Sequence, residues 1–329
     1  MHRIPASQSL RHTRSIRRWA RGGVVGLLGW GLGMGAAGCG VELEPVGEEL
    51  GQLRVHALSV NGLSTNGLST NGLSTNGLST NGLSTNGLST NGFKDWFNQD
   101  PSTADAVMSY VVTCAVAAGQ TRTFTNPVTG VQYTWLGSLG LATSWANGAA
   151  ATEAEQQVVS ACLAAHANKY GLHVPISVLG RVAATSDSTP PAIPYTQAEL
   201  DLYSEKEACY FGNLFDGTGV FAANDQPYLT AERSTPRTCG LVSGTTQQCP
   251  PITHLGMCAS LCTVARDAGN NPLPYYASCT HNAKTYQPIT ARIRPAEIYR
   301  CGDGVCQFTE RCGTGTTATS CNADCGACP

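Results

Sequence analysis

Fourteen of the fifteen cysteines lie beyond residue 113, eight between Cys114 and Cys279 and six between Cys301 and Cys328. The first set is Cys114, Cys162, Cys209, Cys239, Cys249, Cys258, Cys262 and Cys279, and the second is Cys301, Cys306, Cys312, Cys321, Cys325 and Cys328. Both sets are even, as two independently cross-linked units require. Six cysteines within 28 residues leave no room for an apolar core, so covalent links must hold that segment. We expect four bridges in the body and three in the tail. Disulfides of this density belong to an oxidising compartment, which implies export.

The N-terminus agrees. Arg3, Arg11, Arg14, Arg17, Arg18 and Arg21 precede an apolar, Gly-rich run from Gly23 to Ala37, and no acid occurs before Glu42. The run is too short and too broken by glycine for a membrane-spanning helix, and residues 1–38 read as a signal peptide. The run ends Gly35-Ala36-Ala37-Gly38-Cys39, which resembles a bacterial lipobox. That resemblance implies acylation of Cys39, membrane attachment through its acyl chains, and a tether over residues 39–60. The absence of Asp after Cys39 points, by analogy with Gram-negative lipoproteins, to the outer membrane or cell surface. Without its leader the chain carries 14 basic and 22 acidic residues, a balance that excludes nucleic acid as a partner. Charged residues are only 13 % of the chain, unlike a typical cytosolic enzyme.

Six tandem copies of Asn-Gly-Leu-Ser-Thr fill residues 61–90, followed by Asn91-Gly92-Phe93. A period of five matches neither the 3.6-residue helix nor the 2-residue strand, so a straight element gains no apolar face. Residues 61–92 therefore read as a polar spacer, with an r.m.s. span of roughly 30–35 Å if flexible. The alternative is a coil that turns a corner every five residues and stacks its leucines inward, as in pentapeptide-repeat proteins.

Residues 93–295 read as a disulfide-rich α+β domain with two or three capped helices and short antiparallel strands. Asp100 or Ser102 opens a helix with an apolar face of Val107, Met108, Val111, Val112 and Ala115. Residues 121–143 read as a hairpin around a Pro-Val-Thr-Gly turn. Thr152–Glu155 is a capping box for a helix whose apolar stripe runs Val158, Val159, Cys162, Leu163, His166 and Tyr170. Two capped helices, each with one cysteine, suggest a Cys114–Cys162 bridge. Residues 174–179 read as a strand and 208–215 as a strand or buried turn, and Thr196–Glu199 caps a third helix ending near Tyr203. From Asp216 to Pro295 the chain reads as loops and short strands stapled by bridges.

Residues 296–329 form a cysteine-knot-like terminal module. Its Cys301-Gly-Asp303-Gly-Val-Cys306 opening and Asp324-Cys325-Gly ending resemble modules of secreted and surface proteins of myxobacterial type. The repeat and the segment Cys162–Ser177 are also similar to uncharacterised lipoproteins of those bacteria. That resemblance supplies no activity.

Several constellations could carry chemistry. Cys258-x3-Cys262 with His254 nearby could form a zinc corner, but two short-spaced cysteine pairs of the usual finger spacing are absent and disulfides compete for the sulfurs. Cys162 and His166, four apart on a helix, could serve as thiol and base, and a secreted hydrolase built around His166 is the enzymatic alternative. Asp303, Glu310 and Asp324 offer hard oxygen ligands for calcium, or caps for backbone amides in the cross-linked turns. Tyr210, Phe211, Tyr275 and Tyr276 could form a platform for a glycan or peptide, or pack in the core. No phosphate loop, dinucleotide fingerprint, His-Glu-x-x-His or nucleophile elbow occurs. The expectation is a non-enzymatic, lipid-anchored envelope protein without a cofactor, calcium excepted, that contacts a surface protein or glycan.

Overall fold

The computed structural model describes residues 58–61, 81–167, 174–183, 191–225, 252–295, 301–302, 306, 312–317 and 320–328. The leader, Cys39, the first four repeat copies except Asn61, Cys239 and Cys249 lie outside them.

The described chain opens with a short strand, β1 (Leu58–Asn61), and resumes in the fifth repeat copy. Two one-turn to three-turn helices follow, α1 (Thr85–Leu88) and α2 (Asn91–Gln99). Each starts from a repeat hydroxyl: Ser84 Oγ accepts from Gly87 N at 3.3 Å, and Thr90 Oγ1 accepts from Phe93 N at 3.3 Å. Leu83, Leu88 and Phe93, spaced five apart, are all buried in the main core.

This departs from a spacer ending at residue 92. Across the last two copies the chain turns, so a five-residue period that no straight element can use still delivers Leu83, Leu88 and Phe93 inward. Glycine makes the corner possible. Gly82 has φ +67° and packs on the backbone of Trp145 and Gly148, and a Cβ on Gly87 would overlap the carbonyl oxygen of Gly82. Leu83 N also donates to Trp145 O at 2.9 Å. The folded domain therefore includes Asn81 to Thr90, and β1 adds a strand from before the repeat. Leu88→Ala is expected to cost about 3 kcal/mol in urea unfolding. Leu202→Ala, at a side chain 55 % exposed, should change stability by less than about 0.5 kcal/mol. Equal and negligible effects at both sites would show that the repeat does not pack.

α3 (Pro101–Ala115) begins at Asp100, whose carboxylate accepts from Thr103 N at 3.2 Å and Thr103 Oγ1 at 2.6 Å, with Pro101 in the first turn. The expected hairpin is β2 (Thr121–Thr125) and β3 (Gln132–Leu136), closed by Asn126 and Gly130. It turns Phe124 and Trp135 inward onto Phe93 and Phe97 of α2. α4 (Thr143–Ala146) is a single turn. α5 (Glu153–Ala165) has the full Thr152–Glu155 capping box and ends at His166, its C-cap. Tyr170 and Gly171, expected at its end, lie outside the described residues. Residues 157–165 are buried throughout, so α5 is a central helix, without the single apolar stripe that its periodicity suggests. Its polar groups are satisfied inside: Ser160 Oγ accepts from Leu214 N at 2.9 Å, and Gln157 Oε1 from Gln287 N at 3.0 Å.

Seven further elements build the main sheet and its cover. They are β4 (Val174–Gly180), α6 (Gln197–Leu202), β5 (Glu205–Asn213), β6 (Gly219–Asn224), β7 (Ile252–Met257), α7 (Cys258–Leu261) and β8 (Cys262–Arg266). β9 (Pro272–His281), β10 (Lys284–Tyr286) and β11 (Ile289–Ile293) complete the body. The six-stranded sheet runs β1-β4-β11-β5-β6-β7, antiparallel except for the parallel β6–β7 pair. A three-stranded sheet runs β10-β9-β8.

The two-residue period of β5 and β6 separates the cores. Ala208, Tyr210, Val220 and Ala222 join the main core that also holds α5. Cys209, Phe211, Phe221 and Ala223 face the other way, into a second core with Cys258, Tyr276, Cys279 and Tyr286. β11 is one of the short strands expected within residues 216–295. It is a central strand, buried at all five positions, between β4 and β5. Arg292 interrupts its apolar sequence, yet its guanidinium is buried and spent on Tyr203 O and Ser204 O, each at 2.7 Å.

The third capping box is only half formed. Glu199 N donates to Thr196 Oγ1, but the Glu199 carboxylate turns inward and accepts from Ser177 Oγ at 2.7 Å. Burial raises its pKa above the ordinary carboxylate value.

The tail contains a two-stranded ribbon, β12 (Thr316–Thr317) with β13 (Ser320–Cys321), and one turn of helix, α8 (Asn322–Cys325). Its bridges are Cys301–Cys321, Cys306–Cys325 and Cys312–Cys328, an interleaved pattern. The body is bridged at Cys114–Cys162, Cys209–Cys258 and Cys262–Cys279. The fold is thus α+β and disulfide-rich. No described helix is long and apolar enough to cross a membrane.

Candidate functional site

The sequence candidates resolve mostly into structure. Cys162 is bridged to Cys114, joining α3 to α5. His166 is fully buried beside that bridge, with Nδ1 donating to Cys162 O at 2.7 Å and lying 3.6 Å from Cys162 Sγ. A sulfur in a disulfide is no nucleophile, and a buried ring nitrogen held by a carbonyl is poorly placed as a base. Tyr110 packs against the imidazole at 5.5 Å between ring centroids.

The zinc corner is also divided. Cys258 pairs with Cys209 and Cys262 with Cys279, in two different bridges. His254 lies on β7, where burial lowers its pKa. Potential metal-ligand atoms converge in three described places: Cys114, Cys162 and His166; Cys209, Cys262 and Cys279; Cys301, Cys321 and Asp324. Each contains bridged cysteines, whose sulfurs are engaged in covalent bonds rather than available as thiolates.

The aromatic platform is core. Tyr210 and Phe211 are fully buried on opposite faces of β5, and Tyr275 and Tyr276 are nearly so. Tyr276 Oη donates to Asp225 Oδ1 at 2.8 Å, and burial together with that carboxylate pushes the phenol well above its usual pKa. Of the calcium candidates, Asp303 and Glu310 lie outside the described residues. Asp324 Oδ2 accepts from Gly302 N, the amide-capping role that competes with metal binding.

An open cleft of about 390 Å³ is the concave feature that sequence reasoning missed. The repeat supplies Ser84 and Thr85, the hairpin Thr121, Arg122 and Thr123, and the end of α4 Asn147. Leu88 and Ala146 complete its wall. Thr121 and Thr123 are exposed on β2, Arg122 is half-buried and Phe124 is buried. Arg122 is anchored by bonds to Ala146 O at 2.7 Å and Thr121 O at 2.8 Å, and burial lowers its pKa; a guanidinium stays cationic at neutral pH. Among the described residues the lining holds hydroxyls, an amide and a guanidinium, and no carboxylate, imidazole or thiol. These groups can donate and accept hydrogen bonds.

Only the folded repeat gives this cleft its wall, so the missing signal was the seating of the last copies. In comparisons with known proteins, residues 58–84 and 67–93 match the GLTT repeat family, with six copies. That likeness covers the repeat region alone and describes a repeat-containing protein. No curated protein and no solved structure matches the chain.

Proposed function

We propose that this chain is an exported lipoprotein, anchored through acylated Cys39, whose disulfide-held body binds a neutral glycan of the cell envelope. The cleft carries this reading. Its Ser, Thr and Asn groups suit the paired donors and acceptors of sugar hydroxyls, and its volume suits a short saccharide. Six described bridges support an oxidising, extracytoplasmic setting. The Arg-rich leader and the Gly35–Cys39 sequence support acylation.

The test uses full-length protein and its Cys39→Ser variant, fractionated after expression in a Gram-negative host. Wild type should appear in the membrane fraction, with the variant lost from it. Detergent-solubilised wild type is then titrated calorimetrically with β-1,4-linked N-acetylglucosamine oligomers. Binding should weaken at least about tenfold in Thr121→Val/Thr123→Val, equivalent to about 1.4 kcal/mol, with an unchanged melting temperature. Wild type that binds no oligomer, or a double variant that binds equally well, would overturn the glycan assignment. Equal fractionation of Cys39→Ser would overturn the anchor.

A further inference from the structure

Two disulfides in the second core are close enough to react with one another. The bridges Cys209–Cys258 and Cys262–Cys279 come from β5, α7, β8 and β9. Cys209 Sγ lies 3.5 Å from Cys262 Sγ, a non-bonded approach within the range of a near-attack arrangement. Exposure is asymmetric. Cys209, Cys258 and Cys279 are fully buried, whereas Cys262 is partly exposed. Reagents in solvent therefore meet Cys262 first.

The surroundings of Cys258 are equally directional. Cys209 N lies 3.0 Å from Cys258 Sγ and points its hydrogen at that sulfur, and Ala223 O lies 3.1 Å from the same atom. The amide can stabilise a thiolate there, and the carbonyl can accept the hydrogen of a thiol. A sulfur so provided for is a good leaving group in thiol–disulfide exchange.

We propose that these four cysteines form an exchange relay that is reduced by two electrons at Cys262 and ends with its two thiols on Cys279 and Cys258. The co-reactant is a dithiol whose two sulfurs can close into a cyclic disulfide, such as a 1,4-dithiol. Its first thiolate attacks Cys262 Sγ, the Cys262–Cys279 bond breaks, and Cys279 leaves as a thiolate that takes a proton. The second dithiol sulfur attacks the mixed disulfide, forms a cyclic disulfide and releases the Cys262 thiolate. That thiolate attacks Cys209 Sγ, forming a Cys209–Cys262 bond as the Cys209–Cys258 bond breaks. Cys258 takes the second proton. The dithiol is oxidised by two electrons, and the protein ends with one bridge, Cys209–Cys262, and thiols at Cys258 and Cys279. This relay is independent of the glycan reading, since it lies in the second core, away from the residues that line the cleft.

The experiment treats native, fully oxidised protein with an equimolar amount of dithiothreitol. The reaction is quenched in acid, free thiols are alkylated, and the body peptides are mapped by mass spectrometry without further reduction. The expected map has label on Cys258 and Cys279, a Cys209–Cys262 linked peptide, and a Cys258-to-Cys262 labelling ratio above unity. Label on Cys262 and Cys279 with Cys209–Cys258 intact would overturn the relay. So would a Cys262–Cys279 bridge that resists excess dithiol in the folded protein. Cys209→Ser/Cys258→Ser is the reference: with no neighbouring bridge to attack, its label must fall on Cys262 and Cys279.

Discussion

Replacing Cys114 and Cys162 together with alanine is expected to lower the unfolding free energy by about 4 kcal/mol, from the loop-entropy relation. The two cysteines are 48 residues apart in sequence, and the loop between them contains the hairpin, α4 and the start of α5. Removing the bridge restores the freedom of that loop in the unfolded chain while leaving the native packing of α3 on α5 largely intact. Both sulfurs are fully buried, so lost packing adds to the entropic effect. Urea unfolding should show a lower midpoint together with a larger m-value, because the unlinked chain exposes more surface. A loss below about 1 kcal/mol would mean that this loop is already ordered in the unfolded ensemble.

Glu155→Ala should be comparably severe, on the order of 4 kcal/mol. Glu155 is almost completely buried, and its carboxylate serves two parts of the chain at once. Oε1 accepts from Ser144 N at 2.7 Å and Trp145 N at 3.1 Å, and Oε2 accepts from Thr152 N at 2.9 Å and Thr152 Oγ1 at 3.1 Å. Alanine would strand these donors, and Trp145, a fully buried side chain, would lose the anchor of its backbone. Glu155→Gln keeps Oε1 as an acceptor but turns an amide NH2 toward two donors, so about half the loss should remain. Chemical denaturation of both variants checks the order. A Gln variant as unstable as the Ala variant would refute the division of work between the two oxygens.

Local chemistry made these features legible. Asp100 and Thr152 announce helix starts because a side-chain oxygen three residues before an orphan amide is a short-range signal. The hairpin follows from its turn, and a Cys114–Cys162 pairing from two neighbouring caps. What stayed hidden depends on partners distant in sequence. The seating of Leu83 and Leu88 requires Trp145 and Gly148, which no five-residue period reveals. The Glu199 carboxylate satisfies the capping pattern yet goes to Ser177, because the strand offers a buried hydroxyl. β11 lies within a stretch read only as loops and short strands, and its buried Arg292 is explained by the carbonyls of Tyr203 and Ser204. The cleft and the paired bridges are likewise tertiary features. The Cys258–Cys262 spacing suggested one site, while the fold assigns the two sulfurs to different partners and then brings those bridges together.

The interleaved tail has a consequence for a protein exposed to extracellular proteases. Every peptide bond between Cys301 and Cys328 lies inside at least one disulfide loop, because Cys301–Cys321, Cys306–Cys325 and Cys312–Cys328 overlap end to end. A single cut anywhere in that span adds one water to the mass and releases no fragment. The chain can be nicked there and remain one covalent molecule, so losing the module requires a cut before Cys301 or the reduction of its bridges.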